Sequence, residues 1–345
     1  MKHATDIDPR PLALTYGDPA GIGADITLAA WSARVERHLP AFVLFGDAGA
    51  LAARADALGL VVKIARVASP REATDVFATA LPVIHTPFAA PVQAGAPDAA
   101  NGLATIASIE AAVAAVMHAE ARAVVTNPIA KHVLYDTGFS YAGHTEFLHA
   151  LSRDARPADT AEQPVMLLVG GGIMAAPMTV HCQIADVPAQ ITAGAIRRHV
   201  TILANDLTRW FGIAKPRIAV SGLNPHAGES GTIGREDIDI IAPELARLSA
   251  DGFHVTGPHS ADTLFHTAAR ATYDAALTMY HDQALIPVKT VAFETGINCT
   301  LGLAFARTSP DHGTAFDLAG TGAAAPESLI SALHWADKIA GRGHG

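Results

Sequence analysis

Short apolar runs alternate along this 345-residue chain with alanine-rich stretches of helical spacing, and this alternation constrains its fold most strongly. The first unit comprises a predicted strand, Leu12–Tyr16, a glycine-rich turn, and a predicted helix, Asp25–Val35. The pattern repeats with a strand at Phe42–Gly46 and an alanine-rich helix that runs through Leu58. Strands that alternate with helices are typical of an α/β protein with a largely parallel sheet.

The same pattern continues to the C-terminal part of the chain. Asn101–Glu120 is the clearest predicted helix, and further strands are predicted at 123–125, 165–169, 178–181, 218–221, 275–279 and 287–291. The longest apolar run, Met166–Val180, is too short for a bilayer and contains glycines, so it predicts two strands joined by a glycine turn. Several predicted strands end in polar clusters, where ligands bind in open α/β sheets.

Composition excludes several classes of function. Hydrophobic residues make up 50% of the chain and charged residues 17%, which predicts a globular protein and excludes a disordered chain. The net charge of -9, without a block of like charge, argues against nucleic acid as a partner, so any anion must be bound by a local site. Two cysteines and an N-terminal segment without an apolar signal core predict a soluble, cytoplasmic protein without a disulfide framework.

Three histidines follow predicted strands in loops rich in Gly, Pro and Asp: His181, His226 and His281. Three neutral imidazoles with an open position form a catalytic site for a metal such as zinc. Their separations of 45 and 55 positions do not assemble such a site by themselves, so three unrelated loop or core histidines remain the alternative. Cys182 is predicted to be a small buried residue and not a fourth ligand, because neighbours in a strand point to opposite faces.

A second group of side chains suits a phosphate or carboxylate. It combines imidazole, hydroxyl, ammonium, amide and guanidinium donors, from His144, Thr145, Lys289, Asn298 and Arg307. The alternative for each cation is a solvated surface charge.

Two further features each have two readings. The loop GDPAGIG lies between a strand and a helix and suits either an anion or a tight turn with close backbone packing, although it lacks both nucleotide-binding glycine fingerprints. Asp262 and Asp282 are candidates to orient a histidine or to accept a proton. The alternatives are a helix N-cap for Asp262 and a solvated loop charge for Asp282.

Taken in order, the motifs resemble those of the 4-hydroxythreonine-4-phosphate dehydrogenase family. The resemblance extends from Leu14 to about Ala336 and rests on GDPAGIG, TNPIAK, AGHTEF, GLNPHAGESGTIGRED, ADTLF, YDAALTMYHDQALIPVK and GLAFARTSPDHGTAFDLAG. It implies an isocitrate/isopropylmalate-dehydrogenase-like fold of two α/β domains with an interdomain cleft. Domain I would comprise residues 1–125 and 296–345, and domain II, with metal, substrate and dimer contacts, residues 126–295. The implied assembly is a homodimer whose active site takes residues from both subunits.

Residue by residue, the resemblance implies metal ligands at His181, His226 and His281, and substrate contacts at His144, Thr145, Lys289, Asn298 and Arg307. It also implies a divalent metal, zinc above all, with Co²⁺ or Mg²⁺ as alternatives, and NAD or NADP as cofactor. HGTAFDLAG is similar to a nucleotide-binding loop, which implies cofactor contacts at His312, Gly313, Thr314 and Asp317. The proton acceptor stays open among Asp262, Lys289 and His144.

The implied reaction is the oxidation of 4-phosphooxy-L-threonine to 2-amino-3-oxo-4-phosphooxybutanoate, which loses carbon dioxide to give 3-amino-2-oxopropyl phosphate. This step belongs to pyridoxal phosphate biosynthesis. Two departures from the family pattern, Ala24–Asp25 after the glycine loop and Cys182 after His181, leave open a paralogue that oxidises D-threonate or D-erythronate 4-phosphate. More remote alternatives are an aromatic cis-dihydrodiol dehydrogenase, which GHTEF and Arg307 argue against, and a non-redox phosphate-ester-binding or acyl-phosphate-transfer protein.

Overall fold

The computed structural model describes residues 8–342 and divides the chain into two compact units. The first unit contains the chain up to Thr160 and again from Leu303 onward, and the second contains Ala161–Gly302. Residues 1–7 and 343–345 lie outside the described residues. They include both ends of the predicted domain I and the first seven residues of the N-terminal segment in which no signal core was predicted.

The first unit is built on six parallel strands. Its strands are β1 Leu12–Thr15, β2 Phe42–Gly46, β3 Ile64–Arg66, β4 Leu81–His85, β5 Val124–Val125 and β12 Arg307–Pro310, in the order β3-β4-β2-β1-β5-β12. Its helices are α1 Gly23–Ser32, α2 Ala48–Ala57, α3 Pro70–Val76, α4 Gly102–Met117, α5 Lys131–Tyr135, α6 His144–Ala155 and α13 Glu327–Ala340. The prediction of alternating strands and helices with a parallel sheet is confirmed here.

Helix α4 shows how the sheet of the first unit is covered. Its side chains Ile109, Ala112 and Val113 are buried at helical spacing. The Ser108 hydroxyl donates a hydrogen bond to the carbonyl of Phe45, at 2.6 Å, and accepts one from the amide of Tyr16, at 3.1 Å. These contacts fix the helix on β1 and β2. The segment Ala99–Met117 is long and apolar enough to cross a membrane, but half of its most apolar window is buried and α4 packs on β1 and β2, as a core helix does.

The second unit combines an antiparallel edge with a parallel sheet. Its strands are β6 Val165–Gly170, β7 Ile173–Thr179, β8 Arg217–Ser221, β9 His254–His259, β10 Ala275–Tyr280 and β11 Ile297–Leu301, in the order β11-β6-β7-β10-β8-β9. The pairs β11–β6 and β6–β7 are antiparallel, and the remaining pairs are parallel. Its helices are α7 Val187–Gln190, α8 Ala193–Arg209, α9 Ala242–Ala250, α10 Ala261–Leu264, α11 Thr267–Arg270 and α12 His281–Ala292. The predicted pair of strands joined by glycines is confirmed as the β6–β7 hairpin.

One predicted strand is wrong. Residues 287–291 were expected to form a strand but lie within α12. The apolar, β-branched composition of this segment suggests a strand, whereas the buried residues Ala284, Val288 and Ala292 recur every four positions, which is the period of a helix face. Tertiary packing of that face on β6 and β7 determines the local structure, in spite of Pro287 inside the helix.

The boundaries between the two units lie at other residues than the predicted domain boundaries. The chain passes from one unit to the other after residues 160 and 302, not after 125 and 295. The reason is a hydrophobic cluster in which Leu134, Phe139 and Leu148 pack with Ile109 and Leu303. This cluster holds α5 and α6 in the first unit.

The buried carboxyl group of Asp206, on α8, predicts a pH-dependent stability. Burial raises its pKa from 3.8 to about 6, although the amide of Gly302 donates a hydrogen bond to it at 2.6 Å. Because the folded pKa is raised, this group stabilises the fold most at low pH, and the stabilisation is lost as the pH rises from about 4 to above 6.

We therefore expect Asp206→Asn to remove this dependence. Relative to the variant, the native protein should lose about 1 to 1.5 kcal/mol of unfolding free energy between pH 5 and pH 7.5. Denaturant unfolding of both proteins at the two pH values measures the difference. An equal change in both proteins would contradict the assignment, and Asp251→Asn, at an exposed position of the same unit, is the control.

Candidate functional site

The three predicted metal ligands all lie in the second unit, after neighbouring parallel strands. His181 follows β7, His226 follows β8, and His281 is the first residue after β10, which lies between the other two strands. The carboxyl ends of parallel strands meet at one edge of the sheet, which is where open α/β sheets bind ligands.

His181 and His281 lie close together. Their ring centroids are 6.1 Å apart, with an interplanar angle of 46°. Two imidazoles on one ion with metal–nitrogen bonds near 2 Å have centroids roughly 5 Å apart, so these rings need to approach by about 1 Å. Nδ1 of His281 lies 2.7 Å from the Asp282 carboxylate, so Nε2 is the ring nitrogen that could bind a metal. Asp282 thus contacts a histidine, as expected if it orients that ring.

His226 begins an unusual loop. Residues 226–230 all have positive φ, including the non-glycine residues His226, at 53°, and Glu229, at 42°. This conformation is strained for such residues and persists only when the surroundings impose it. The buried carboxylate of Asp237 accepts hydrogen bonds from the amide of Leu223, at 2.8 Å, and from Nδ2 of Asn224, at 2.9 Å. These bonds anchor the strand-to-loop connection that presents His226.

The histidines meet the chemical requirement for a metal site, but one chain does not complete the geometry. Imidazole nitrogens suit zinc, and His181 and His281 are near each other with an orienting carboxylate. Within residues 8–342, however, no group of three His, Cys, Asp or Glu side chains is arranged to hold an ion. Cys182 is half-buried with a free thiol, so the expectation of a buried residue is wrong.

Asp262 lies in the first turn of α10, near His226. Ser260, not Asp262, is the N-cap residue, and its hydroxyl donates to the Asp262 carboxylate. This hydrogen bond, with a further contribution from the charge of His226, lowers the pKa of Asp262. The predicted N-cap alternative is therefore wrong, and Asp262 is an ionised, exposed carboxylate beside a candidate ligand.

The predicted substrate contacts divide between the units. His144, Thr145 and Arg307 belong to the first unit, whereas Lys289 and Asn298 belong to the second. Lys289 lies in α12 and not at a strand end, because its segment is helical. Asn298 lies in β11, and among residues 8–342 its buried Oδ1 has no hydrogen-bond partner.

In the first unit, Arg307 and His144 lie in one region with several hydrogen-bond donors. Arg307 is 4% exposed at the start of β12, and its Nη2 donates to the Thr126 hydroxyl at 2.5 Å. His144 is the first residue of α6, where free backbone amides and the helix dipole favour an anion. Burial, followed by the charges of Arg307 and Lys131, holds the pKa of His144 well below its ordinary value of 6.5. His144 is therefore neutral and can donate to or accept from a ligand.

Sequence reasoning did not assign a role to Lys131. It is the last residue of the TNPIAK motif, which supported the family resemblance as a whole without a role for any of its residues. The electrostatic effect of Lys131 on His144 places the two side chains near each other. The position of Lys131 at a strand-to-helix junction was the one indication in the sequence that it could belong to a site. Its proximity to His144 was not predictable, because the two residues are 13 positions apart on different helices and no local pattern relates them.

The glycine loop between β1 and α1 is a packing element. A Cβ on Gly17 would lie 2.6 Å from the carbonyl oxygen of Pro128, and one on Gly23 would lie 2.6 Å from that of Tyr16. The amide of Ile22 donates to the carbonyl of Thr314 at 3.0 Å. The close approaches of Gly17 and Gly23 are those expected if the loop is a tight turn with close backbone packing. The hydrogen bond from Ile22 fixes the segment around Thr314, which is predicted to bind the cofactor.

That segment, 312–317, lies on the first unit. Nδ1 of His312 lies 3.1 Å from the carbonyl of Gly313, and among the described residues its buried Nε2 has no partner. Asp317 is exposed in a short 3₁₀ turn. A groove of about 690 Å³ lies nearby, bordered by Arg54, Phe88 and Gly320, and its volume is that of an ordinary small-molecule pocket.

Asp25, a departure from the family pattern, has a structural role here. Its carboxylate pairs with the buried guanidinium of Arg54 and accepts a hydrogen bond from the amide of Gly320 at 2.7 Å. The shorter acid therefore connects α1 to α2 and to the end of the HGTAFDLAG segment.

Comparison with known proteins gives a consistent result. The family model described as "Pyridoxal phosphate biosynthetic protein PdxA" matches residues 38–336. A 4-hydroxythreonine-4-phosphate dehydrogenase of Methylorubrum populi is 54% identical over 337 residues, which are 97% of this chain and 96% of that relative. The crystal structure of the Klebsiella pneumoniae enzyme of that name has a TM-score of 0.84 and 34% identity, covering 96% of this chain and 99% of its own.

A second activity occurs among the similar structures. A terephthalate 1,2-cis-dihydrodiol dehydrogenase from Burkholderia xenovorans has a TM-score of 0.62 and 30% identity, covering 95% of this chain and 98% of its own. Its lower structural similarity separates it from the Klebsiella pneumoniae enzyme. The match of the family model and of these relatives over most of the chain shows that this chain belongs to the PdxA family, the family of the 4-hydroxythreonine-4-phosphate dehydrogenases.

Proposed function

We propose that this protein oxidises 4-phosphooxy-L-threonine with NAD in pyridoxal phosphate biosynthesis. The observation that carries the proposal is the arrangement of Arg307, His144 and the N-terminus of α6, which provides donors for a phosphate group. The cis-dihydrodiol of terephthalate carries carboxylates but no phosphate, and a carboxylate with its single charge needs fewer of these donors than a phosphate dianion does. The 54% identity to enzymes of this name supports the same substrate.

The reaction removes a proton and a hydride from the secondary alcohol. The hydroxyl proton would pass to a base of the protein, and a bound NAD would supply the acceptor for the hydride of the same carbon, so that the alcohol would become 2-amino-3-oxo-4-phosphooxybutanoate. This product is a β-keto acid, and loss of carbon dioxide gives 3-amino-2-oxopropyl phosphate. We assign the binding of the phosphate to Arg307, His144 and Thr145, and the binding of other polar groups of the substrate to Lys289 and Asn298.

His181, His226 and His281 are the proposed ligands of a divalent metal, with zinc favoured by their donor atoms and Co²⁺ or Mg²⁺ as alternatives. A metal at this position supplies Lewis acidity that lowers the pKa of the substrate hydroxyl. Because one chain does not bring the three histidines together, we propose a homodimer in which the second subunit completes the site. Asp282 orients His281 through their 2.7 Å contact.

Proton transfer is assigned to Lys289 and Asp262. His144 is a less suitable base, because its Nε2 is buried near two cations that lower its pKa, and it is better placed to form a hydrogen bond with the phosphate. The adenosine of NAD, or of NADP, is proposed to lie near His312, Gly313, Thr314 and Asp317, beside the groove at Gly320. The proposed location of the enzyme is the cytoplasm, which its dependence on a nicotinamide cofactor favours.

Substrate profiling tests the proposed function. NADH formation by the purified, metal-supplemented protein is measured with 4-phosphooxy-L-threonine, D-threonate 4-phosphate and D-erythronate 4-phosphate. We expect kcat/KM to be at least about 10-fold higher for the aminated substrate. A preference for a sugar-acid phosphate would move the enzyme to a catabolic reaction, and turnover of a cis-dihydrodiol alone would contradict the phosphate assignment.

A further inference from the structure

Lys131 lies against the N-terminal turn of α6. A Cβ built on Gly143, the residue before this helix, would be 2.9 Å from Cε of Lys131 and 3.1 Å from its Nζ. The aliphatic stem and the ammonium group therefore occupy the space beside the N-cap position. Gly143 leaves this space open, and a larger residue there would displace the lysine.

Lys131 has no acidic partner among residues 8–342. Lys131 and Arg307 both act electrostatically on His144, so the three side chains face one region. An acid of the same helix, Glu146, has its Oε2 3.4 Å from the same Gly143 Cβ position. Yet in the part of the chain that the structure describes, Lys131 forms no ion pair with it or with any other acid.

The hydrogen-bonding groups of the same region are also unsatisfied. Nε2 of His144 is buried and, among residues 8–342, has no hydrogen-bond partner. The N-cap of α6 has no side-chain hydrogen bond from the described residues, so its first amides remain available. A buried polar atom without a partner is costly, and a bound ligand relieves this cost.

We propose that Lys131 is a phosphate-binding residue of this enzyme, which together with Arg307, His144 and the first amides of α6 encloses the phosphate of the substrate. A phosphate dianion matches two cations and several donors, whereas a carboxylate carries one charge and needs fewer. This inference rests on the proposed function, because it assigns a further residue to the same substrate site.

The test compares Lys131→Met, which keeps the stem and removes the charge, with Lys131→Arg, which restores the charge. Lys215→Met, at an exposed lysine of the second unit, is the matched control. For 4-phosphooxy-L-threonine we expect Lys131→Met to raise KM about 10- to 30-fold with kcat within about twofold, Lys131→Arg to recover most of the loss, and the control to match the native protein.

A second measurement uses inorganic phosphate and does not depend on turnover. Its Kd for the complete protein, obtained by titration calorimetry, should weaken in Lys131→Met by a factor similar to that in KM. Affinity for L-threonine, which has the carboxylate but no phosphate, should not change. Unchanged phosphate affinity, or a loss confined to L-threonine, would overturn the proposal.

The two measurements separate the two hypotheses. If the native protein does not oxidise 4-phosphooxy-L-threonine, the proposed function fails, whereas phosphate binding still tests Lys131. Thermal unfolding without phosphate shows whether each variant folds. If Lys131→Met does not fold, Lys131→Gln replaces it in both measurements, and a phosphate affinity equal to that of the native protein in that variant overturns the proposal.

Discussion

Arg307→Met is expected to lower kcat/KM for 4-phosphooxy-L-threonine by at least about 100-fold, because it would remove the two charge-assisted hydrogen bonds proposed to the phosphate, each worth at least about 1.5 kcal/mol. The side chain is 4% exposed and is positioned through the 2.5 Å hydrogen bond from its Nη2 to Thr126. Steady-state kinetics with NAD in excess measures the change.

The controls for Arg307 distinguish charge from geometry. Arg307→Lys keeps the charge but not the planar pair of donors, so we expect it to recover only part of the loss. Arg153→Met, at an exposed position near the C-terminal end of α6, should have no effect. An Arg307→Met enzyme with native kcat/KM and a native thermal unfolding curve would contradict the assignment of phosphate binding to this arginine.

His281→Ala is expected to abolish both metal binding and NADH formation. The native protein should contain about one divalent ion per subunit, and the variant less than about a tenth of that, because a catalytic site with three protein ligands loses one of them. We expect kcat to fall at least about 1,000-fold, since the hydroxyl is no longer activated. Metal content by inductively coupled plasma mass spectrometry, and NADH absorbance, provide two separate readouts.

Matched variants sharpen this prediction. Asp282→Asn weakens the orientation of His281 and should lower metal affinity about 10- to 100-fold while the ligand remains. His254→Ala, at an exposed histidine of β9 in the same unit, should leave metal content unchanged. If His281→Ala retains both its metal and its activity, the metal hypothesis is wrong, and a non-redox phosphate-transfer function gains support.

The fold class could be predicted because its signal is local. Phe42–Gly46 is a strand with the predicted bounds, and the β6–β7 hairpin follows from one apolar run interrupted by glycines. The error at 287–291 arises because a short apolar segment satisfies both strand and helix patterns, and the choice depends on the strands beneath it. Strand β12 contains Arg307, Thr308 and Ser309, polar residues that are buried only through contacts with distant parts of the chain.

The candidate site was accessible from sequence mainly through the family resemblance. Composition and spacing identified types of donors at strand ends, but they did not pair His181 with His281 or bring His144 to Arg307. Those contacts join residues 100 and 163 positions apart, which no periodic pattern encodes. Lys131 is a second residue that the sequence pattern could not place in the site. Its side chain reaches the start of α6 because Gly143 has no Cβ there.

The insertion of the second unit between residues 160 and 303 determines the order in which the protein is completed during synthesis. The contiguous segment Ala161–Gly302 is complete before β12 and α13 of the first unit have been synthesised, although the first unit is begun earlier. Until then, the edge of β5 and the surface that α13 covers remain exposed to chaperones and to other nascent chains. Since Arg307 lies on β12, 181 positions after its partner Thr126, the hydrogen bond between them can form only when the chain is nearly complete.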